Sequence, residues 1–316
     1  MAGSRHVSIP SQLVQSESWM TANDEPGLTS IIIPTYNRAG LLLETLNSVA
    51  AQRYRPIEIV VIDDGSTDAT EALIRSFERH HRGDPGLSVR YRFQPHQGAW
   101  AARTLGLRLS RGAYIQFLDS DDLLHPDKLA RQVVVFEAEP TIDFVWSSTG
   151  SFHSAPDWHA TPVVGWPLAA QVGRDIVIAF IAKGRWKTES GLYRRRACRR
   201  TGPWANVAMF QDWEYNIRML TWSPEIRFVP GLLSATRQHD HERIDDAWYT
   251  CRGIAGALRA VTLVEQQTRE QFGTDSRWKA AIMSRYRQLS DQAADCGFSS
   301  LAARADRCLA MISPGD

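Results

Sequence analysis

The sequence predicts a doubly wound α/β domain: a mostly parallel, Rossmann-like central sheet flanked by helices, with a C-terminal helical extension. Three observations carry this. Short β-branched runs such as Ser30-Ile31-Ile32-Ile33-Pro34 and Ile57 to Ile62 read as strands buried on both faces. They alternate with segments of helical spacing, the pattern of βαβ units. From Asp246 to Met311 the spacing is helical throughout, with breaks near Gly273 and Gly297.

The elements follow in order. Residues 1–26 show no clear period and read as an N-terminal tail. Ser30 to Pro34 is the first strand, and Leu41 to Ala51 has helical spacing. Ile57 to Ile62 is the second strand, closed by Asp63-Asp64-Gly65. Thr70 to His80 reads as a helix, with Asp68 and Glu71 placed like a capping pair. Leu87 to Phe93 is a third strand and Ala99 to Leu109 a third helix. Tyr114 to Leu118 is a fourth strand, running into Asp119-Ser120-Asp121-Asp122. Pro126 opens a helix towards Glu137. Beyond residue 140 the alternation weakens. Ile142 to Trp146 and Gly191 to Tyr193 read as extended. Asp175 to Ala182 and Asp212 to Leu220 read as helices, and Ile226–Val229 and Leu232–Thr236 as two short strands. Residues 151–170 look irregular.

Composition narrows the function classes. Hydrophobic residues are 43% and charged residues 22% of 316, ordinary for a globular chain with a sizeable core. The formal net charge of +1 gives no field favouring nucleic acid. The local run Arg194, Arg195, Arg196 reads best as solvated. The four cysteines form no C-x-x-C pair and fit reduced thiols. No apolar stretch is long enough to span a bilayer, and no apolar leader is visible. A cytoplasmic protein is therefore expected, with the inner face of the membrane open to it as a peripheral surface.

In doubly wound sheets ligands sit beyond the carboxyl ends of the strands. Thr35, Tyr36, Asn37 and Arg38, the Asp63-Asp64 pair, and the Asp119 cluster all fall there. Asp119-x-Asp121 follows an extended chain, so its carboxylates share a side. Two carboxylates suit Mg²⁺ or Mn²⁺, which take their other ligands from phosphate and water. A plain acidic turn is the competing reading. Two like charges at Asp63 and Asp64 call for a partner or ligand, while Asn37 could simply cap a helix. Arg103, by position, reads as a cation on a solvated helix face. Asp212 opens a helix and suits either an N-cap or a general base. Arg237 and His239 form a basic cluster after a strand and could touch phosphate or metal.

The order of these motifs resembles the family 2 glycosyltransferases, which have the GT-A fold. The matching stretches are Ile31 to Arg38, Glu58 to Asp68, Gly98 through Arg103 to Gly106, Gly112 to Asp122, and Gln211 to Glu214 with Arg218. The resemblance spans roughly residues 28–240. It implies a nucleotide-sugar-binding half over 28–140, an acceptor half over 141–240 and a helical extension over 241–316. It implies that Pro34, Thr35, Tyr36, Asn37 and Arg38 line the nucleotide, Asp64 bonds the base, and Gly98, Arg103, Ser120 and Arg237 approach the donor. Asp119 and Asp121 match a D-x-D motif holding Mn²⁺ or Mg²⁺, with His239 nearby. Asp212 matches the base that deprotonates the acceptor hydroxyl, giving inversion. The family often has Glu-Asp where this chain has Gln211-Asp212, and Asn where it has Thr104.

The expected partners are a nucleotide-diphosphate sugar, with UDP-sugar favoured, and an unidentified glycan, lipid-linked or small-molecule acceptor, as in cell-surface polysaccharide or glycoconjugate synthesis. The C-terminal helices are candidates for a homodimer contact, a membrane-facing surface or a lid on the core. Rival readings are a non-catalytic nucleotide-sugar-binding protein and a sugar nucleotidyltransferase; the latter usually carries a glycine-rich loop that Pro34-Thr35-Tyr36-Asn37 does not supply. Trp146, Trp158, Trp166, Trp186 and Trp204 concentrate in the acceptor half and read mostly as core.

Overall fold

The apolar β-branched runs form one eight-stranded sheet in a computed structural model of the chain, which describes residues 19–20, 24–160, 174–184, 186–238 and 248–312. The first part is β1 (Glu25–Thr35), α1 (Ala39–Ala50), β2 (Ile57–Asp63), α2 (Thr70–His80), β3 (Leu87–Phe93), α3 (Ala99–Leu109) and β4 (Gly112–Phe117). Next come β5 (Leu123–Leu124), α4 (Lys128–Ala138), β6 (Phe144–Phe152), α5 (Arg174–Ala182), β7 (Gly191–Arg194) and α6 (Arg195–Thr201). The chain continues with α7 (Gln211–Leu220), β8 (Ile226–Arg237), α8 (Cys251–Phe272), α9 (Ser276–Asp295) and α10 (Ser299–Ile312).

The strand order is β3-β2-β1-β4-β7-β6-β8-β5. The pairs β1–β2, β2–β3, β1–β4 and β6–β8 are parallel. The sheet is more mixed than the sequence suggests, because β7 runs antiparallel to both β4 and β6, and β5 antiparallel to β8. Strand β5 is too short to show a period in the sequence, and the extended reading of Gly191 to Tyr193 could not show the direction of β7.

The unbroken apolar run of β1 has a direct cause. Ile31 and Ile33 join Leu42, Leu46 and Val49 on one face, while Ile32 joins Ala102 and Leu107 on the other. A strand covered on both faces needs no polar alternation. Gly106 lets α3 lie close on this sheet: a Cβ there would sit 2.3 Å from Cγ2 of Ile32.

Four readings change. The two short strands expected near residue 230 are one strand, β8. Its register against β6 slips between Trp146↔Phe228 and Ser148↔Leu232, and that bulge accommodates Pro230 and Gly231 (φ 123°). Strand β1 begins at Glu25, inside the stretch read as tail, and Met20 is buried in the core. Helix α4 begins at Lys128, after Pro126. Within the arginine run Arg196 is exposed, as expected, but Arg195 and Arg194 are not simply solvated. Arg195 is fully buried and donates to Gly112 O at 2.8 Å and Ser110 Oγ at 2.9 Å. Arg194 holds Ile142 O at 2.7 Å, and Arg196 pairs with Asp143 at 2.7 Å.

Helices α8 to α10 cover the core, burying Ala257, Val261, Val264, Trp278, Ile282 and Tyr286 in the same cluster as Ile32 and Phe117. Of the five tryptophans, Trp146, Trp186 and Trp204 are core; Trp158 is half-buried against His125, and Trp166 lies outside the described residues. No helix of the described residues is long and apolar enough to cross a membrane.

Candidate active site

The carboxyl ends of β1, β2, β3 and β4 meet on one rim. Asp64 N–H donates to Thr35 O at 2.9 Å, joining the first two loops. Asn37 sits at φ 49° and does not cap α1. Its Oδ1 accepts from Thr67 N–H at 2.7 Å and its N–H donates to Ser66 Oγ at 2.9 Å. Asp68 serves two helix starts, accepting from Ala39 N–H at 3.2 Å and Thr70 N–H at 3.0 Å. Asp63 is satisfied by Ser66 N–H at 2.8 Å and the Tyr91 hydroxyl at 2.8 Å.

Asp64 is bonded within the rim itself. Its Oδ1 accepts from Gln94 Nε2 at 2.6 Å and Gln97 N–H at 2.9 Å, and its Oδ2 from Gly98 N–H at 2.8 Å with His96 Nδ1 at 2.9 Å. A carboxylate offers about four lone-pair sites, and the turn after β3 takes them. Asp64 therefore shapes this wall through that turn. Gly98 is held at φ 104°, where only glycine is unstrained. His96, anchored on Asp64, lies against the exposed Tyr36 ring with centroids 4.4 Å apart. The sequence reading missed His96 and Gln94, although the rim rule applied to β3 as well would have found them.

Arg103 is the centre of the other wall, and it is buried, not solvated. One guanidinium nitrogen donates to Asp119 Oδ1 at 2.5 Å and another to Gln211 Oε1 at 2.7 Å, while the group lies 4.7 Å above the Trp204 ring. It thus ties the end of β4 to the first residue of α7, beside Asp212. Arg38 pairs with Asp121. Asp212 is partly buried and accepts from Trp213 N–H at 2.9 Å. Burial pushes its carboxyl above the ordinary range, Lys187 and Arg103 pull it back, and Asp119 adds to the rise.

Beneath the acids lies a second polar layer that the sequence reading missed apart from Arg237. Arg237 is buried, its N–H donating to Asp122 Oδ1 at 2.9 Å, its Nε to Asp121 O at 3.0 Å and its guanidinium to Glu44 at 2.6 Å. It braces the acidic turn from behind; His239 lies outside the described residues. Burial raises the carboxyls of Asp122 and Glu189, whose charges oppose one another. Burial also lowers the amine of Lys128, which donates to the Gln116 and Gln132 side-chain oxygens. A lysine at helix period gives no sequence sign of such burial.

Asp119 and Asp121 present hard oxygen donors of the type Mg²⁺ and Mn²⁺ take. Asp119 keeps a third of its side chain exposed, so it is reachable. Among the described residues no three His, Cys, Asp or Glu side chains gather to hold a metal alone. A metal here would draw on ligand oxygens, as these ions ordinarily do. Thr35 Oγ1 and Arg103 Nε are buried at the rim without partners, the kind of group a bound polar ligand satisfies. Ser120 is buried between the two acids, and Pro34 pairs with Ile62 inside the sheet.

The sequence model of the family described as glycosyl transferase family 2 matches residues 30–220. The chain belongs to that family. An uncharacterized glycosyltransferase of Rickettsia felis is 39% identical over 120 residues, covering 38% of this chain and 18% of that protein. The glycosyltransferase GlyA of Streptococcus pneumoniae is 36% identical over 131 residues, covering 39% of this chain and 18% of its own length. The chain thus aligns with under a fifth of the length of those relatives.

Solved structures show the same fold at low identity. S. aureus TarS 1-349 in complex with UDP-GlcNAc has a TM-score of 0.56 at 14% identity, covering 88% of this chain and 90% of that one. The mannosyltransferase PcManGT from Pyrobaculum calidifontis, in complex with GDP-Man and Mn²⁺, has a TM-score of 0.54 at 21% identity, covering 96% and 86%. The fold is accordingly that of GT-A glycosyltransferases, continued by C-terminal helices.

Proposed function

We propose that this glycosyltransferase inverts the anomeric centre of a nucleotide-diphosphate sugar, with a UDP-sugar favoured, as it transfers the sugar to an acceptor hydroxyl. The observation that carries the proposal is the bridge Asp119–Arg103–Gln211, which holds the D-x-D turn and the start of the Asp212 helix on one rim.

In this reading residues 28–140 bind the donor, and 141–240 bind a glycan, lipid-linked or small-molecule acceptor. Tyr36 and His96 offer an aromatic face to the base. Asp64 keeps that wall in shape, while Thr35, Asn37, Gly98 and Ser120 line the rim. Asp119 and Asp121 would hold Mn²⁺ or Mg²⁺ together with the diphosphate, and such an ion would supply Lewis-acid stabilisation of the leaving charge. Arg38 and Arg103 add positive charge where that negative charge develops. Arg237 acts through the backbone of Asp121, keeping the acidic turn in place. Asp212 takes the proton of the acceptor hydroxyl. Its raised carboxyl pKa makes it a better base than an ordinary aspartate. The reaction is placed in the cytoplasm.

Proton NMR of the first product tests the mechanism. An α-linked donor should give a β-linked product at the earliest time points. Retention of the donor's anomeric configuration contradicts direct displacement.

A further inference from the structure

Away from the rim, a cleft of about 500 Å³ opens between α8, α10 and the loop before α7. Asn206, Val207, Ala208, Ala255, Gly256, Arg259 and Arg304 line it, and no carboxylate does. Some arginines nearby in sequence or on the surface are engaged: Arg196 with Asp143, Arg218 with Glu214, Arg269 with Glu265, and Arg277 with Asp175 and Asp275. Arg259 and Arg304 are exposed, and no ion pair or hydrogen bond to them occurs among the described residues. Two arginines line one cleft without a carboxylate beside them, so an anion held there would meet two cations.

We propose that this cleft binds a phosphate ester. The guanidinium fork matches phosphate oxygens two at a time, which favours phosphate over a simple halide. The volume exceeds that of a bare ion and lies in the range of organic ligand pockets, about 300–1,000 Å³. It therefore has room for the group that carries the phosphate, against the small apolar wall of Val207, Ala208 and Ala255. Arg252 stands seven residues before Arg259, two helical turns away, and extends the basic face of α8.

The cleft also touches the catalytic half. Gly256 packs so close that a Cβ there would lie 2.7 Å from Ala208 Cβ. Ala208 sits on the loop that passes through Phe210 (φ 61°) into α7 and Asp212. A phosphate ester bound here braces the segment leading to the proposed base. The anion site itself does not depend on the identity of the donor.

The test uses the full chain and three probes: inorganic phosphate, glycerol 3-phosphate, and vesicles of equal parts phosphatidylglycerol and phosphatidylcholine. Calorimetry reads the first two and co-sedimentation the third. The double variant Arg259→Gln/Arg304→Gln changes only exposed side chains, and an unchanged circular-dichroism melt confirms its fold. Binding by wild type that weakens about a hundredfold in the double variant supports the site, at about tenfold per charged hydrogen-bond donor lost. Binding of the small esters identifies a soluble phosphate ester as the ligand, and binding of the vesicles alone identifies a lipid headgroup. With Mn²⁺ present in every titration, Asp121→Ala is the control for phosphate lodging at the donor rim. Binding lost in Asp121→Ala but kept in the double variant overturns the proposal, as does the absence of wild-type binding to all three probes.

Discussion

Replacing Arg103 with Met should both loosen the fold and disable the site. The substitution keeps most of the volume and removes the guanidinium that bonds Gln211 at 2.7 Å and Asp119 at 2.5 Å over the Trp204 ring. The buried bond to Gln211 contributes about 2 kcal/mol and the partly exposed bond to Asp119 about 1 kcal/mol, because solvent screens the latter. The cation over Trp204 adds about 1 kcal/mol. A loss of about 4 kcal/mol lowers the melting temperature of a chain this long by roughly 6 °C. Arg103→Lys keeps the charge but cannot span both acceptors, so it should recover less than half of the loss. The melt is followed by circular dichroism, and nucleotide binding by calorimetry with Mn²⁺. If Arg103→Met melts like wild type and binds nucleotide equally well, the bridge does not join the two halves of the site.

The remaining predictions concern the proposed chemistry and one packing contact. Asp212→Asn should lower turnover by about a thousandfold while Mn²⁺-dependent nucleotide affinity stays unchanged; near-normal turnover removes Asp212 as the base. Asp121→Ala should abolish the gain in nucleotide affinity that Mn²⁺ gives, and an intact gain moves the metal elsewhere. The raised carboxyl of Asp212 stays protonated where an ordinary aspartate is ionised, so kcat/KM should climb with pH along a limb above about pH 4. A profile already level at about pH 4 argues against that base. Gly106→Ala forces a methyl to within 2.3 Å of Ile32, and thermal melts should show a cost of about 2 kcal/mol.

The sequence revealed what repeats locally. The bounds of α2, β3 and α3 agree with their expected ranges, because each is one amphipathic or apolar run between turn residues. The rim acids were legible for the same reason: each follows the end of a strand, and a doubly wound sheet puts those ends together. Partners distant in sequence were not legible. Arg103 looked like a surface cation because its helical position shows nothing of Gln211, which is 108 residues away. Arg195 looked solvated because its acceptor, the Gly112 carbonyl, is 83 residues away. Strand β5 has two residues, too few to show a period, and β7 was legible as extended but not as antiparallel. The layer of Lys128, Glu189 and Asp122 is readable only once the fold brings it together.

The central claim is that the rim binds a nucleotide diphosphate through a divalent cation. Calorimetric titration with UDP, GDP and dTDP, each with Mn²⁺ and again with EDTA, tests it most directly. The account predicts tight binding of one nucleotide, UDP first among them, that disappears with EDTA. Binding of none of the three under either condition contradicts it.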